Sequence, residues 1–191
     1  MDIRELDARA VRASVTVVTA ATPDDLGRPT PCAEWTLGDL LAHLTVQHRG
    51  FAAAARGAGA DPAVWQLQPL DPDPVASYVE AADDVVAAFG SARQDFALAE
   101  FGATFPADQA IGFHFIDYVV HGWDVARSLG LDYDLDPELA GPALEIARAV
   151  PDGEARLRPG APFKPRLDTS PDAGAMDEIL TRLGRSPRWP A

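Results

Sequence analysis

Apolar residues recur along this chain at three- and four-residue steps, the period of amphipathic helices. Ile3, Leu6, Ala10, Val11, Ser14, Val17 and Val18 trace the face of a first helix. Its β-branched end, Val15 to Thr19, also reads as a strand, but the Ala- and Arg-rich turns before it favour helix. Pro23, Gly27, Pro29 and Pro31 make residues 22–35 a loop. A second helix then starts with complete signals: Thr36 as N-cap, Asp39 at N3 as an acidic form of the capping box, and Trp35 and Leu40 spaced for a hydrophobic staple. Leu37, Leu40, Leu41 and Leu44 mark its buried side, and it is expected to run to Arg56.

Residues 57–74 are rich in Gly, Pro and Asp and read as a connection. Asp73 and Pro74 cap and open a third helix, with Val75, Tyr78, Val79, Ala82, Val85, Val86 and Phe89 inward. Pro106 opens a fourth, through Ile111, Phe115, Tyr118, Val119 and Trp123 to Leu129, with Gly130 as its stop. Asp136-Pro137-Glu138 begins a fifth that ends near Val150. Beyond Pro151 the chain is proline-rich and poor in large apolar groups, an extended arm, before a short last helix from Pro171 to Leu183. No segment reads as β-rich. The expected class is all-α: a four-helix bundle over residues 1–150 with an additional helix, and a C-terminal arm and short helix, 151–191, packed on it as a single domain overall.

Composition narrows the function classes. The chain has 191 residues with 29 acids against 16 bases, a net charge of −13 and a single lysine, Lys164. That balance excludes a phosphate-backbone partner or an anionic membrane surface. One cysteine, Cys32, excludes an internal disulfide framework and suits a reducing compartment. The charged start, Met1 to Leu6, and the lack of a long uninterrupted apolar run predict a cytoplasmic location.

Four histidines are few enough to examine singly. Asp117 and His121, four apart, share one face of the fourth helix, with Cβ atoms close enough to reach one ion. His43 lies in the inward half of the second helix. One histidine from one helix and an Asp-x-x-x-His pair from another make a three-ligand set, the stoichiometry of open divalent-metal sites. The bland readings are a chance spacing for the pair and, for His43, a core histidine bonded to a backbone carbonyl. His114 is on the same face as Asp117 and His121; it could replace Asp117 as a ligand or flank the site. His48 reads as surface or as support behind a ligand. Asp124, one turn after His121, is placed to hydrogen-bond a ligand histidine, or is a solvated helix acid. Cys32 is either a thiol with a lowered pKa near a helix start or a small buried hydrophobe.

Two segments carry a family resemblance. Pro31-Cys32-Ala33-Glu34-Trp35-Thr36-Leu37-Gly38-Asp39-Leu40-Leu41-Ala42-His43-Leu44 resembles a hallmark of the DinB/YfiT-like metal-binding superfamily, in the branch related to the N-terminal domain of mycothiol-dependent maleylpyruvate isomerase. Asp117-Tyr118-Val119-Val120-His121-Gly122-Trp123-Asp124 resembles that branch's second motif, an acid-x-x-x-His followed by Gly-Trp-Asp, and Leu183 to Trp189 resembles its tail. The resemblance implies a four-helix bundle holding a divalent ion, zinc or nickel, through His43, Asp117 and His121. It also implies a low-molecular-weight thiol, mycothiol or bacillithiol, that attacks an electrophile at the ion. The acidic ligand here is the shorter Asp in place of Glu, and the residues after 150 are too few for the isomerase's further domain. The expected activity is therefore a thiol-dependent transferase or isomerase acting on a small electrophile. The other class of reading is a non-catalytic, metal-stabilised binding or sensor bundle, with a homodimer as its assembly.

Overall fold

The computed structural model describes residues 1–32, 35–158, 161 and 163–190. Among them the helices are α1 (Ile3–Val18), α2 (Leu37–Ala55), α3 (Pro74–Ser91), α4 (Ala107–Leu129), α5 (Pro137–Ala149) and α6 (Ala175–Arg182). The class is all-α, as the helical period predicts. The chain divides into two compact units, Met1–Leu131 and Asp132–Ala191. The division falls before α5, earlier than residue 150, because α5 packs with α6 inside the second unit. Arg148 there is paired with Glu178. The guanidinium of Arg156 donates to the carbonyls of Val150, Pro151, Lys164 and Arg182.

In the first unit α1 packs on α3 and α4, and α2 packs on α3 and α4, closing a four-helix bundle. The start of α2 is held as its sequence dictates. Thr36 Oγ1 accepts from the Asp39 amide at 3.2 Å, while Asp39 accepts from the Thr36 amide at 2.9 Å. These reciprocal bonds occupy two donors that the first turn would otherwise leave orphaned. Trp35 lays its ring against His43, with centroids 4.8 Å apart. Helix α4 ends where Gly130 takes a left-handed conformation, φ 74°, which costs an ordinary residue strain and glycine nothing.

A short antiparallel hairpin, β1 (Phe96–Leu98) and β2 (Ala103–Phe105), lies between α3 and α4. The sequence pattern predicts no strand here, because three-residue strands are too short for alternation to register. The hairpin inserts Phe96 and Leu98 into the core beside Phe51, Trp65, Phe89 and Ile111. Burying each such side chain is worth about 1.5–3 kcal/mol. This cluster locks one end of the α2–α4 pair. The two helices run antiparallel, so Phe51 lies near Ile111, His48 meets His114, and His43 meets His121. No helix among the described residues is long and apolar enough to cross a membrane.

Candidate metal centre

His43 and His121 face one another across the α2–α4 seam with ring centroids 5.6 Å apart. Asp117, one turn before His121, brings Oδ1 to 3.3 Å from His121 Nε2. One donor atom from each of His43, Asp117 and His121 lies within 4.8 Å of the others. His121 is 5% exposed, whereas His43 and Asp117 are only partly buried, so the donors converge where one side remains open to solvent.

A tetrahedral divalent ion with bonds near 2.0–2.1 Å to nitrogen and oxygen spaces its donors by ~3.3 Å. The 3.3 Å Asp117–His121 separation matches that edge. His43 brings a donor atom from the partner helix to within 4.8 Å of both. The three donors are of the kinds that hold a divalent ion, and three protein ligands would leave a coordination position open.

The second nitrogen of His121 is also engaged. Nδ1 lies 2.9 Å from Oδ2 of Asp124, which is fully buried. A carboxylate in that position accepts a hydrogen bond from Nδ1–H and turns Nε2 toward Asp117. Burial by itself disfavours the charged imidazole. The charge of Asp117 and the neighbouring Cys32 sulfur, with the hydrogen bonds to Asp117 and Asp124, outweigh it and hold the His121 pKa well above its ordinary value. Without a cation, His121 therefore carries a proton that an ion must displace.

Glu100, in the hairpin turn, feels the charge of Asp117. Buried Gln47, one turn after His43, donates to both carboxylate oxygens of Glu100 at 3.0 and 3.1 Å. Partial burial raises the Glu100 pKa, the Gln47 hydrogen bond opposes this, and the negative charge of Asp117 adds to it. Gln47 and Glu100 escaped the sequence reading, since nothing local links residues 53 apart.

The remaining histidines sit elsewhere. His114 is on the Asp117 face, but seven residues from His121 amount to ~10 Å along a helix axis. Its Nδ1 lies 2.6 Å from Asp7 Oδ1 on α1, and its Nε2 lies 3.0 Å from His48 Nδ1 on α2. His48, read from sequence as surface or support, is fully buried and stacks on Tyr118 with centroids 3.9 Å apart. Burial and the neighbouring His114 hold its pKa well below the usual value, so it is neutral, and burial raises that of Asp7. Asp7, His48 and His114 tie three helices together one to two turns beneath the candidate centre. Cys32 Sγ donates to Asp124 Oδ2 at 3.1 Å.

The family model of the mycothiol maleylpyruvate isomerase N-terminal domain matches residues 8–126. The chain belongs to this family. The matched span runs from within α1 almost to the end of α4 and so includes every residue of the candidate centre. Two uncharacterised proteins of Mycobacterium tuberculosis, one of strain CDC 1551 / Oshkosh and one of strain ATCC 25618 / H37Rv, are each 32% identical to the chain over 196 residues. Each alignment covers 98% of the chain and 100% of the relative. No solved structure matches the chain. The family is mycothiol-related by its description, and the donor cluster is a possible set of metal ligands within the matched span.

Proposed function

We propose that this protein binds a divalent ion, zinc or nickel, through His43, Asp117 and His121, and acts as a thiol-dependent transferase or isomerase on a small electrophile. The observation that supports it most is the convergence of those three donors within 4.8 Å at a partly exposed end of the α2–α4 seam. When bound, the ion supplies Lewis acidity that holds a low-molecular-weight thiol, such as mycothiol, in its nucleophilic thiolate form.

The chain's own groups divide the rest of the work. Asp124 fixes the tautomer and ring orientation of His121, so Nε2 faces the reacting side. Trp35 packs on the His43 ring and screens it from water. We take Glu100, held by Gln47 with a raised pKa and under the charge of Asp117, as the group that accepts the proton the incoming thiol gives up and returns it to the product. The open side beside Asp117 admits the thiol and the electrophile. Small-molecule partners accord with the acidic surface, which repels nucleic acid.

Metal-loaded protein incubated with mycothiol and a panel of small electrophiles tests this reading. Thiol consumption should be enzyme-dependent, should vanish in Asp117→Ala and should drop severalfold in Glu100→Gln with metal content intact. Metal-loaded protein that retains its ion and consumes no thiol with any electrophile would favour a metal-stabilised binding bundle.

A further inference from the structure

The loop before α2 brings Cys32 to the far edge of the His121 ring. Sγ stands 3.1 Å from Asp124 Oδ2 and 3.7 Å from His121 Nδ1, and those two atoms are 2.9 Å apart. A thiol, an imidazole nitrogen and a carboxylate oxygen thus form a second donor triangle, on the opposite nitrogen of the imidazole that serves His43 and Asp117. Asp124 is fully buried, His121 nearly so and Cys32 partly exposed, which leaves an approach from the sulfur side.

Size and charge both suit a cation. Zinc bonds near 2.3 Å to sulfur and 2.0–2.1 Å to nitrogen or oxygen require sulfur-to-nitrogen and sulfur-to-oxygen edges of ~3.5 Å and a nitrogen-to-oxygen edge of ~3.3 Å. The present triangle lies within ~0.5 Å of that on every edge, a gap that rotation of the Asp124 carboxylate and the Cys32 thiol can close. We propose that Cys32, Nδ1 of His121 and Asp124 form a second site for a thiophilic divalent ion such as zinc, filled after the His43–Asp117–His121 site. Entry of the ion releases the Cys32 thiol proton and the His121 Nδ1 proton to solvent. Two positive charges are thereby matched by the thiolate and the bridging imidazolate, just as Asp117 and Asp124 together match the first ion. A soft thiolate in the set selects thiophilic ions over magnesium or calcium. This site goes beyond the function proposed above, which needs only the first ion.

Cobalt titration of the metal-free full-length protein, followed by absorbance, tests it. Two equivalents should bind, the second bringing a near-ultraviolet thiolate-to-cobalt charge-transfer band. Cys32→Ser should stop at one equivalent without that band. Asp124→Asn, which keeps an acceptor for His121, should lose the band as well and serves if Cys32→Ser fails to fold. His43→Ala should lose the tighter equivalent and keep the band. Native protein that stops at one equivalent with no thiolate band, or Cys32→Ser that still takes two, overturns the proposal. A band in native protein with no other equivalent would sustain the second site and count against the first.

Discussion

Asp124 lies 2.9 Å from Nδ1 of His121, while Nε2 of the same ring faces Asp117 at 3.3 Å. One imidazole is thus held from behind by a buried carboxylate and offers its other nitrogen to the open side. If that is what Asp124 does, Asp124→Ala leaves the three ligands in place but frees the ring. Metal affinity should fall about 10–100-fold. Competition against a chromogenic chelator measures it, and an unchanged constant would deny Asp124 this part.

Proton competition gives the second prediction. His121 has a folded-state pKa above its ordinary 6.5 in the metal-free protein. Its charge therefore contributes stability that is fully present below pH 6.5 and is lost as pH rises through the folded value. Metal binding runs the other way. While His121 is protonated each bound ion displaces its proton, so affinity should climb by about tenfold per pH unit and level off above the His121 pKa. Titration calorimetry at several pH values in buffers of different ionisation enthalpy reports both the slope and the released proton.

His114 supplies a contrast between core and site. Its ring is completely buried between Asp7 and His48. His114→Ala should cost at least about 3 kcal/mol, since truncating a buried ring leaves a cavity and strands the Asp7 carboxyl as well. Urea denaturation measures the loss. At temperatures where the variant stays folded, its metal stoichiometry should equal that of the native protein.

Glu100 titrates in step with the centre. Asp117's negative charge raises the Glu100 pKa, and Gln47's hydrogen bond lowers it. Gln47→Leu should therefore push the Glu100 pKa further up, and adding zinc to the native protein should bring it down by neutralising Asp117. Carbon-13 NMR of the Glu100 carboxyl follows both shifts. A pKa indifferent to zinc would place the ion away from Asp117.

What the sequence discloses follows the range of each interaction. The α2 capping box, the α4 stop and the Asp117–His121 pair are contacts between residues three or four apart, or single-residue backbone preferences, and they are legible without coordinates. The meeting of Asp7, His114 and His48 is not, because it joins three helices through residues 66 and 107 apart. Helix α2 compounds this: it is buried around most of its circumference, so no polar stripe separates an inward His48 from an outward one. Cys32 illustrates the same limit. Its loop position suggests nothing specific until Asp124, 92 residues on, comes to lie 3.1 Å from its sulfur.

The account stands most directly on the first cation site. Metal content by mass spectrometry, after purification without chelators and dialysis against zinc or nickel, should show the tightly held ion in the native protein. That ion should be lost in each of His43→Ala, Asp117→Ala and His121→Ala, with circular dichroism unchanged. Folded single variants that bind as many equivalents of metal as the native protein would contradict it.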